Sequence, residues 1–162
     1  GANRVMLEPR TLAKMLDALS IEPDHVVLDL GCGLGYSTAI LAKMAEFVVA
    51  VEDDADNATQ AQNILSESGV DNAAVMQGAL RDGAAKSAPY DIVMIQGAVE
   101  VVPDAILAQL RDGGRIACIF AEGALGVVRI GRKIDGAVNW RYAFNAGAPV
   151  LSGFQKEAAF SL

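Results

Sequence analysis

The residues with the clearest chemical potential lie in one stretch, where acids flank three alternating glycines. Asp29 precedes Gly31, Gly33 and Gly35, and Glu52 follows roughly 20 residues later. Glycine lets the backbone turn tightly and lets a ligand approach the main chain without meeting a Cβ atom. A carboxylate can accept hydrogen bonds from two hydroxyl groups at once, and such charge-assisted bonds are strong. The spacing therefore predicts a ligand-binding loop with an acid on each side.

A β-α-β unit is needed to position these residues. The apolar run at 26–28 is too short and too rich in branched residues for a helix, so it predicts a buried strand. Residues 36–45 carry apolar side chains at helical spacing, and a second apolar run at 47–51 ends in Glu52. The glycines therefore lie where the first strand passes into a helix.

A dinucleotide site has a similar outline, in which G-x-G-x-x-G places a pyrophosphate at the helix amino terminus. Here the third glycine comes one residue early, and Asp29 stands two residues before the first. A carboxylate at that position would repel a pyrophosphate and attract an ammonium group. We therefore expect a zwitterionic ligand. The glycine spacing disfavours a nicotinamide-dependent oxidoreductase, which we keep as an alternative behind those given below.

Residues 29–35, Asp-Leu-Gly-Cys-Gly-Leu-Gly, resemble the first motif of class I S-adenosylmethionine-dependent methyltransferases. The resemblance implies an α/β, Rossmann-like fold, with a mostly parallel twisted sheet flanked by helices and an antiparallel hairpin at one edge. It also implies S-adenosyl-L-methionine as cofactor, with its methionine part held by Asp29 and the glycine loop and its ribose hydroxyls bound by Glu52. The plainer alternatives are an ordinary tight turn and a solvated strand end.

Other candidate cofactor contacts follow from the rule that ligands of an open α/β sheet lie at the carboxyl ends of the strands. They are Cys32 in the loop, Asp53 after the second strand, Gly78, Ala79 and Leu80 after the third, and Gln96 and Gly97 at the carboxyl end of the fourth. Asp53 could instead cap the helix that we expect over about 55–68. Many methyltransferases have an acid where Ala79 stands, so we expect that contact to be lost or made by the backbone. Cys32 is expected to be a small filler, with a thiol activated by the helix dipole as the alternative.

The second half of the chain shows a closer resemblance. Residues 97–116 contain Val-Pro, Gln-Leu and Gly-Gly-Arg elements in the order of the protein-L-isoaspartate O-methyltransferase family. This resemblance implies methyl transfer to the abnormal carboxylate of an isoaspartyl residue in damaged protein, with Leu7, Ala98 and Val99 at the substrate site. The expected partner is a protein or peptide with an exposed carboxylate. Because a carboxylate is already ionised at neutral pH, we expect no general base and name no catalytic residue.

Two departures from the family weaken that substrate assignment. The family usually begins with a further segment of some dozens of residues, so we expect a truncated or divergent member. Its Thr-x-Ser-x-Pro motif falls on residues 5–9, where Val5 and Leu7 replace the hydroxyl residues. Leucine cannot hydrogen-bond a carboxylate, which should weaken binding by roughly a few kcal/mol. A non-catalytic S-adenosylmethionine-binding module and a methyltransferase with a different acceptor therefore stay open.

Composition limits the remaining possibilities. A length of 162 residues predicts one domain over 1–162, and 52% hydrophobic with 20% charged residues excludes a disordered chain. We expect no membrane span and no signal peptide, and the net charge of -7 disfavours nucleic acid and anionic lipid as partners. Neither Cys32 nor Cys118 has other potential metal ligands at a suitable spacing in the sequence. We therefore expect a reduced, cytoplasmic monomer without a metal site.

Periodicity and turn residues predict the remaining elements. They are a helix over 10–19, a third strand at 73–77, a fourth at 90–97, a helix over 103–110, a turn at 112–114, a fifth strand at 115–120, and a hairpin of 126–134 and 137–144. The hairpin turns at Asp135-Gly136, a favoured two-residue connection. The tail, 149–162, should pack down, and His25 should be a surface residue at the far end of the first strand.

Overall fold

The computed structural model describes residues 4–157 and contains one seven-stranded sheet. The strands are β1 (Val26–Leu30), β2 (Phe47–Glu52), β3 (Ala73–Gln77), β4 (Tyr90–Val99), β5 (Leu110–Glu122), β6 (Leu125–Ile134) and β7 (Ala137–Asn145). Their order is β3-β2-β1-β4-β5-β6-β7. The pairings among β1 to β5 are parallel, whereas β6 and β7 add antiparallel. The predicted α/β class, with an antiparallel hairpin at one edge, is confirmed.

In the described part of the chain, four helices flank the sheet, with two short 3₁₀ turns at Leu80–Asp82 and Ala85–Ser87. The helices are α1 (Pro9–Leu19), α2 (Tyr36–Met44), α3 (Ala55–Glu67) and α4 (Asp104–Leu107). Helix α1 begins at a proline, which suits the first turn because its missing N–H would have no partner there. Within residues 4–157, no helix has both the length and the apolar character needed to cross a membrane.

The core has two apolar layers because successive side chains of a strand point to opposite faces of the sheet. Val27 and Ile92 belong to the layer that also holds the buried face of α1, whereas Leu28 and Val93 belong to the opposite layer. Strands buried on both faces require continuous apolar runs, and β1, β2 and β4 have them. This explains why short apolar runs without alternation were informative in the sequence.

The order of the strands creates a crevice at the carboxyl end of β1. From β1 the chain moves outward through β2 and β3, and then returns to β4 on the other side of β1. Loops leaving β1 and β4 therefore diverge, and ligands of open α/β sheets bind at such a switch point. The glycine loop follows β1 directly and lies at this crevice.

The segment between α4 and β5 differs from the prediction. The expected helix over 103–110 is present but shorter, at Asp104–Leu107, and the expected turn at 112–114 was wrong, because β5 already begins at Leu110. Tyr90 pairs with Leu110 but Ile92 pairs with Arg115, so β5 bulges between them. A Cβ atom on Gly114 would lie 2.8 Å from the carbonyl oxygen of Asp91. The Gly-Gly pair thus accommodates a bulge within a strand rather than a turn between elements.

The hairpin and the tail follow the prediction more closely. Asp135 and Gly136 have φ values of 51° and 82°, as a tight turn between twisted strands requires. In the tail, Leu151 and Phe154 are buried, and the carbonyl of Phe154 accepts a hydrogen bond from the N–H of Glu100. The predicted packing is confirmed for the described part of the tail. Residues 158–162 of that tail, and residues 1–3 of the expected domain, lie outside the described residues.

We expect Phe154→Ala to lower the free energy of unfolding by about 3–5 kcal/mol, because it removes a fully buried ring and leaves a cavity. Urea denaturation followed by circular dichroism measures this change. Phe47→Ala is the matched control, since Phe47 is 36% exposed and should cost less. Equal losses in the two variants would show that the tail is not part of the core.

Candidate functional site

A cavity of about 270 Å³ opens beside the carboxyl end of β1. Of the residues predicted for the site, those that line it are Leu7, Gly31, Cys32, Gly33 and Gln96. The remaining wall comes from the segment before α1, from Leu12 on α1 and Leu34 in the glycine loop, and from the start of α2 and Asn57 on α3. The cavity therefore brings the glycine loop and the N-terminal segment together, which are distant in the sequence.

The glycine loop needs its glycines for conformation. Gly31, Gly33 and Gly35 have φ values of +84°, +58° and +92°, in the region that other residues rarely adopt. The N–H of Gly31 donates to the carbonyl of Val51 at 2.8 Å, which fixes the loop to the end of β2. Gly35 does not line the cavity. A Cβ there would lie 3.4 Å from the side chain of Leu65, so its role is close packing of α2 on α3.

Asp29 is fully buried beneath the loop rather than exposed in the cavity. Its Oδ2 accepts hydrogen bonds from Ser37 at 2.7 Å and from Thr38 at 2.9 Å, and its Oδ1 accepts one from Gln96 at 2.8 Å. Burial raises the pKa of Asp29, and these hydrogen bonds oppose that rise. Because Ser37 and Gln96 line the cavity, Asp29 reaches it through them.

Ser37 and Thr38 were not identified as site residues from the sequence. They could have been recognised as two adjacent hydroxyl residues in the first turn of the helix that follows the glycine loop. A helix brings that turn back over the end of the preceding strand, so a hydroxyl there can bond to an acid at the strand end.

Glu52, at the end of β2, is also fully buried. Its Oε1 accepts a hydrogen bond from the N–H of Gly33 at 2.9 Å, and its Oε2 accepts one from the N–H of Asp54 at 2.9 Å. Arg4 Nη2 lies 2.7 Å from Oε1 and completes the set. One carboxylate thus links the glycine loop, the start of α3 and the segment before α1.

Arg4 was also missed, although it is a cation in an otherwise largely apolar segment of the sequence. Its side chain is 16% exposed, and its Nη1 donates to Asp53 Oδ1 at 2.7 Å. Burial alone would lower the pKa of Arg4, but the hydrogen bonds and charges of Glu52 and Asp53 raise it overall, so the guanidinium stays charged. The capping alternative for Asp53 was wrong, because α3 is capped by Asp54.

Cys32 is buried, and its thiol is not activated. Burial, followed by the nearby charges of Asp29 and Glu52, raises the pKa of Cys32 to about 12. A neutral thiol is a poor nucleophile, so the alternative of a thiol activated by the helix dipole does not fit. The structure agrees with the role of a small filler between glycines.

The residues predicted after β3 and near the end of β4 lie outside the cavity wall, apart from Gln96. The N–H of Gly78 donates to the backbone carbonyl of Glu52 at 3.1 Å; next along the chain, Ala79 is exposed and Leu80 is buried. A Cβ on Gly97 would lie 2.6 Å from the side chain of Leu151. Gly97 therefore serves the packing of the tail against β4.

The three residues predicted to contact the substrate do not lie together in the structure. Leu7 lines the cavity, although only 5% of its surface is exposed. Ala98 and Val99 are buried in the core and do not line the cavity, which corrects the prediction. The reason is that β4 continues to Val99 and the tail covers it, with the N–H of Leu151 bonded to the carbonyl of Ala98.

His25 lies just before β1, at the end opposite the cavity, as expected. Its side chain is only 14% exposed, so it is less of a surface residue than predicted. Its Nδ1 accepts a hydrogen bond from the N–H of Glu22 at 3.1 Å. This local bond gives the histidine a structural role in the turn before β1.

Known proteins resemble the chain over most of its length. The family model described as protein-L-isoaspartate(D-aspartate) O-methyltransferase (PCMT) matches residues 1–145. A protein-L-isoaspartate O-methyltransferase from Vibrio atlanticus (strain LGP32) is 31% identical over 135 residues, which is 83% of this chain. The match covers 65% of that relative, so the chain spans just under two thirds of its length.

Solved structures agree on the fold. A protein-L-isoaspartate O-methyltransferase superposes with a TM-score of 0.84 at 22% identity, over 90% of this chain and 47% of the other. A Plasmodium falciparum structure described as a β-aspartate methyltransferase (PCMT), in complex with S-adenosyl-L-homocysteine, gives 0.76 at 17% identity, over 89% and 74%. The predicted Rossmann-like methyltransferase fold is confirmed.

We expect Cys32 to react with iodoacetamide at pH 8 far more slowly than a free cysteine, because a pKa of about 12 leaves almost no thiolate. Mass spectrometry of the peptide that contains Cys32, after timed quenching, measures the rate. The same peptide labelled in guanidinium chloride is the control. Equal rates in the folded and unfolded chain would contradict the raised pKa.

Proposed function

The chain belongs to the protein-L-isoaspartate O-methyltransferase family, and on that premise we propose that it binds S-adenosyl-L-methionine and methylates an isoaspartyl carboxylate. The observation that carries this proposal is the position of Glu52. Its buried carboxylate ends β2 and accepts a hydrogen bond from the glycine loop, which lies at the switch point of the sheet. An acid there can accept both hydroxyls of a ribose.

The residues around the cavity suit the chemistry of this cofactor. Gly31 and Gly33 present backbone without Cβ atoms, so a ligand can lie against the loop. Ser37 and Gln96 offer polar atoms to the methionine part, and the buried charge of Asp29 beneath them would attract its ammonium group. When bound, the sulfonium would supply an electrophilic methyl group.

We assign the remaining predicted contacts to the outer part of the cofactor site. Asp53 and the backbone of Gly78, Ala79 and Leu80 would border the adenine side, because they follow β2 and β3. Cys32 would fill the loop, and Gly97 would act only through the packing of the tail. Ala98 and Val99 are not proposed as substrate contacts, since the tail pairs with Ala98 and covers this end of β4.

The acceptor carboxylate needs no chemical activation by the protein. An ionised carboxylate is already a nucleophile, so the chain has only to hold it in line and limit access of water. The rim of the cavity is suited to a peptide that carries the acceptor carboxylate. Its exposed apolar side chains are Val5, Met6, Leu34 and Tyr36. Exposed apolar groups that cluster at a cavity mark an interaction site.

We also propose a cytoplasmic, monomeric protein. Both cysteines are free and buried, which suits a reducing compartment. A non-catalytic S-adenosylmethionine-binding module remains the second candidate. Leu7 favours it, since this apolar side chain lines the cavity where the family has a hydroxyl group.

Isothermal titration calorimetry tests the cofactor assignment. We expect binding of S-adenosylmethionine but not of NAD, and at least about tenfold weaker binding in Glu52→Ala, because the ribose loses both charged acceptors. Glu46→Ala is the matched control, since Glu46 is an exposed acid just before β2. Unchanged affinity in Glu52→Ala would remove the basis of the proposal.

Methyl transfer tests the acceptor. We expect label from methyl-labelled S-adenosylmethionine to enter an isoaspartyl peptide and not its aspartyl twin of the same sequence, because the two carboxylates are placed differently along the backbone. Base-labile methyl ester is counted after removal of free cofactor. Cofactor binding without transfer to either peptide would favour the non-catalytic module.

A further inference from the structure

Arg4 is the only cation among the described residues that line the cavity. Its Nη2 would lie 3.4 Å from a Cβ on Gly31, so the guanidinium stands directly over the glycine loop. It donates to Glu52 Oε1 and to Asp53 Oδ1, each at 2.7 Å. The proposed ribose-binding acid is thus paired with a charge of the chain itself.

This pairing competes with a ribose. Each oxygen of Glu52 already accepts one backbone N–H, from Gly33 and from Asp54. The hydrogen-bonding capacity that remains is used by Arg4, which itself lines the cavity, at 2.7 Å to Oε1 and 3.4 Å to Oε2. A ribose diol needs both oxygens, and a carboxylate oxygen accepts only about two hydrogen bonds. Arg4 must therefore leave Glu52 before both ribose hydroxyls can bind.

The displaced guanidinium then lacks one of its two partners. The next three residues along the chain, Val5, Met6 and Leu7, also line the cavity and offer it no carboxylate, and the polar residues Ser37, Asn57 and Gln96 of the wall are uncharged. A partly buried charge that loses its counter-ion is costly, and an entering carboxylate would satisfy it with paired hydrogen bonds. The same segment lacks hydroxyl groups at residues 5 and 7. Arg4 is therefore the strongest donor near the cavity for a carboxylate.

We propose that Arg4 is a specificity-determining residue, which the cofactor ribose displaces from Glu52 and which then binds the acceptor carboxylate. This inference rests on the proposed function and deepens it. In the reaction, a carboxylate oxygen forms a bond to the methyl carbon, and the bond from that carbon to sulfur breaks with its electron pair moving to sulfur. No proton moves. The ester product is neutral and loses its attraction to Arg4, which favours release.

Two variants of Arg4 separate its charge from its shape. Arg4→Met removes the charge and keeps an unbranched apolar stem, whereas Arg4→Lys keeps the charge but loses the paired donors. Arg10→Met is the matched control, because Arg10 is exposed and lies outside this cavity. Thermal unfolding of all three variants identifies any loss of folding, and Arg4→Lys carries the test if Arg4→Met does not fold.

We expect Arg4→Met to bind S-adenosylhomocysteine at least about tenfold more tightly, because the competing ion pair is gone. The KM for the isoaspartyl peptide should rise at least about tenfold with kcat within about twofold, since Arg4 pairs with a charge that declines during the reaction. Arg4→Lys should fall between wild type and Arg4→Met in both measurements. Arg10→Met should match wild type.

Unchanged cofactor affinity in Arg4→Met, or an unchanged KM for the peptide, overturns this inference while leaving the proposed function intact. Failure of the proposed function gives a different pattern. In that case the wild-type chain itself does not bind the cofactor or does not methylate the peptide. Such a result contradicts the proposed function and the role of Arg4 together.

Discussion

The buried carboxylate of Glu52 is the interaction on which the site depends. An ionised group without access to water must be satisfied by donors from the protein. Those donors are the N–H groups of Gly33 and Asp54 and the guanidinium of Arg4. They belong to the glycine loop, the start of α3 and the segment before α1. One charge at the end of β2 therefore fixes the relative positions of three segments that surround the cavity.

The hydrogen bonds that stabilise the buried charge of Glu52 also lower the affinity of this carboxylate for a ligand. Pairing with Arg4 compensates the burial of Glu52, and removing one partner of such a pair leaves a costly unpaired charge. A ligand that uses Glu52 has to replace this compensation. Its net affinity is therefore the difference between two sets of charged hydrogen bonds, which is smaller than either set alone.

Asp29 shows a second way to use a buried acid. Its oxygens are satisfied by Ser37, Thr38 and Gln96, so it presents no free surface to the cavity. Its position just before the glycine loop was evident in the sequence, and direct contact with a ligand was the natural expectation. The structure instead places two polar side chains between the acid and the cavity. The charge acts at a distance, and its hydrogen-bond partners make the wall.

The sequence by itself determined the β-α-β unit, the glycine loop, Glu52 at a strand end and the Asp135-Gly136 turn, because each depends on neighbours along the chain. Only the tertiary structure decided the rest. Arg4 meets Glu52 across 48 positions of sequence, the tail buries Ala98, and pairing with β4 draws the Gly-Gly segment into a strand. Local patterns carry no record of such pairings, since these depend on which distant surfaces the folded sheet brings together.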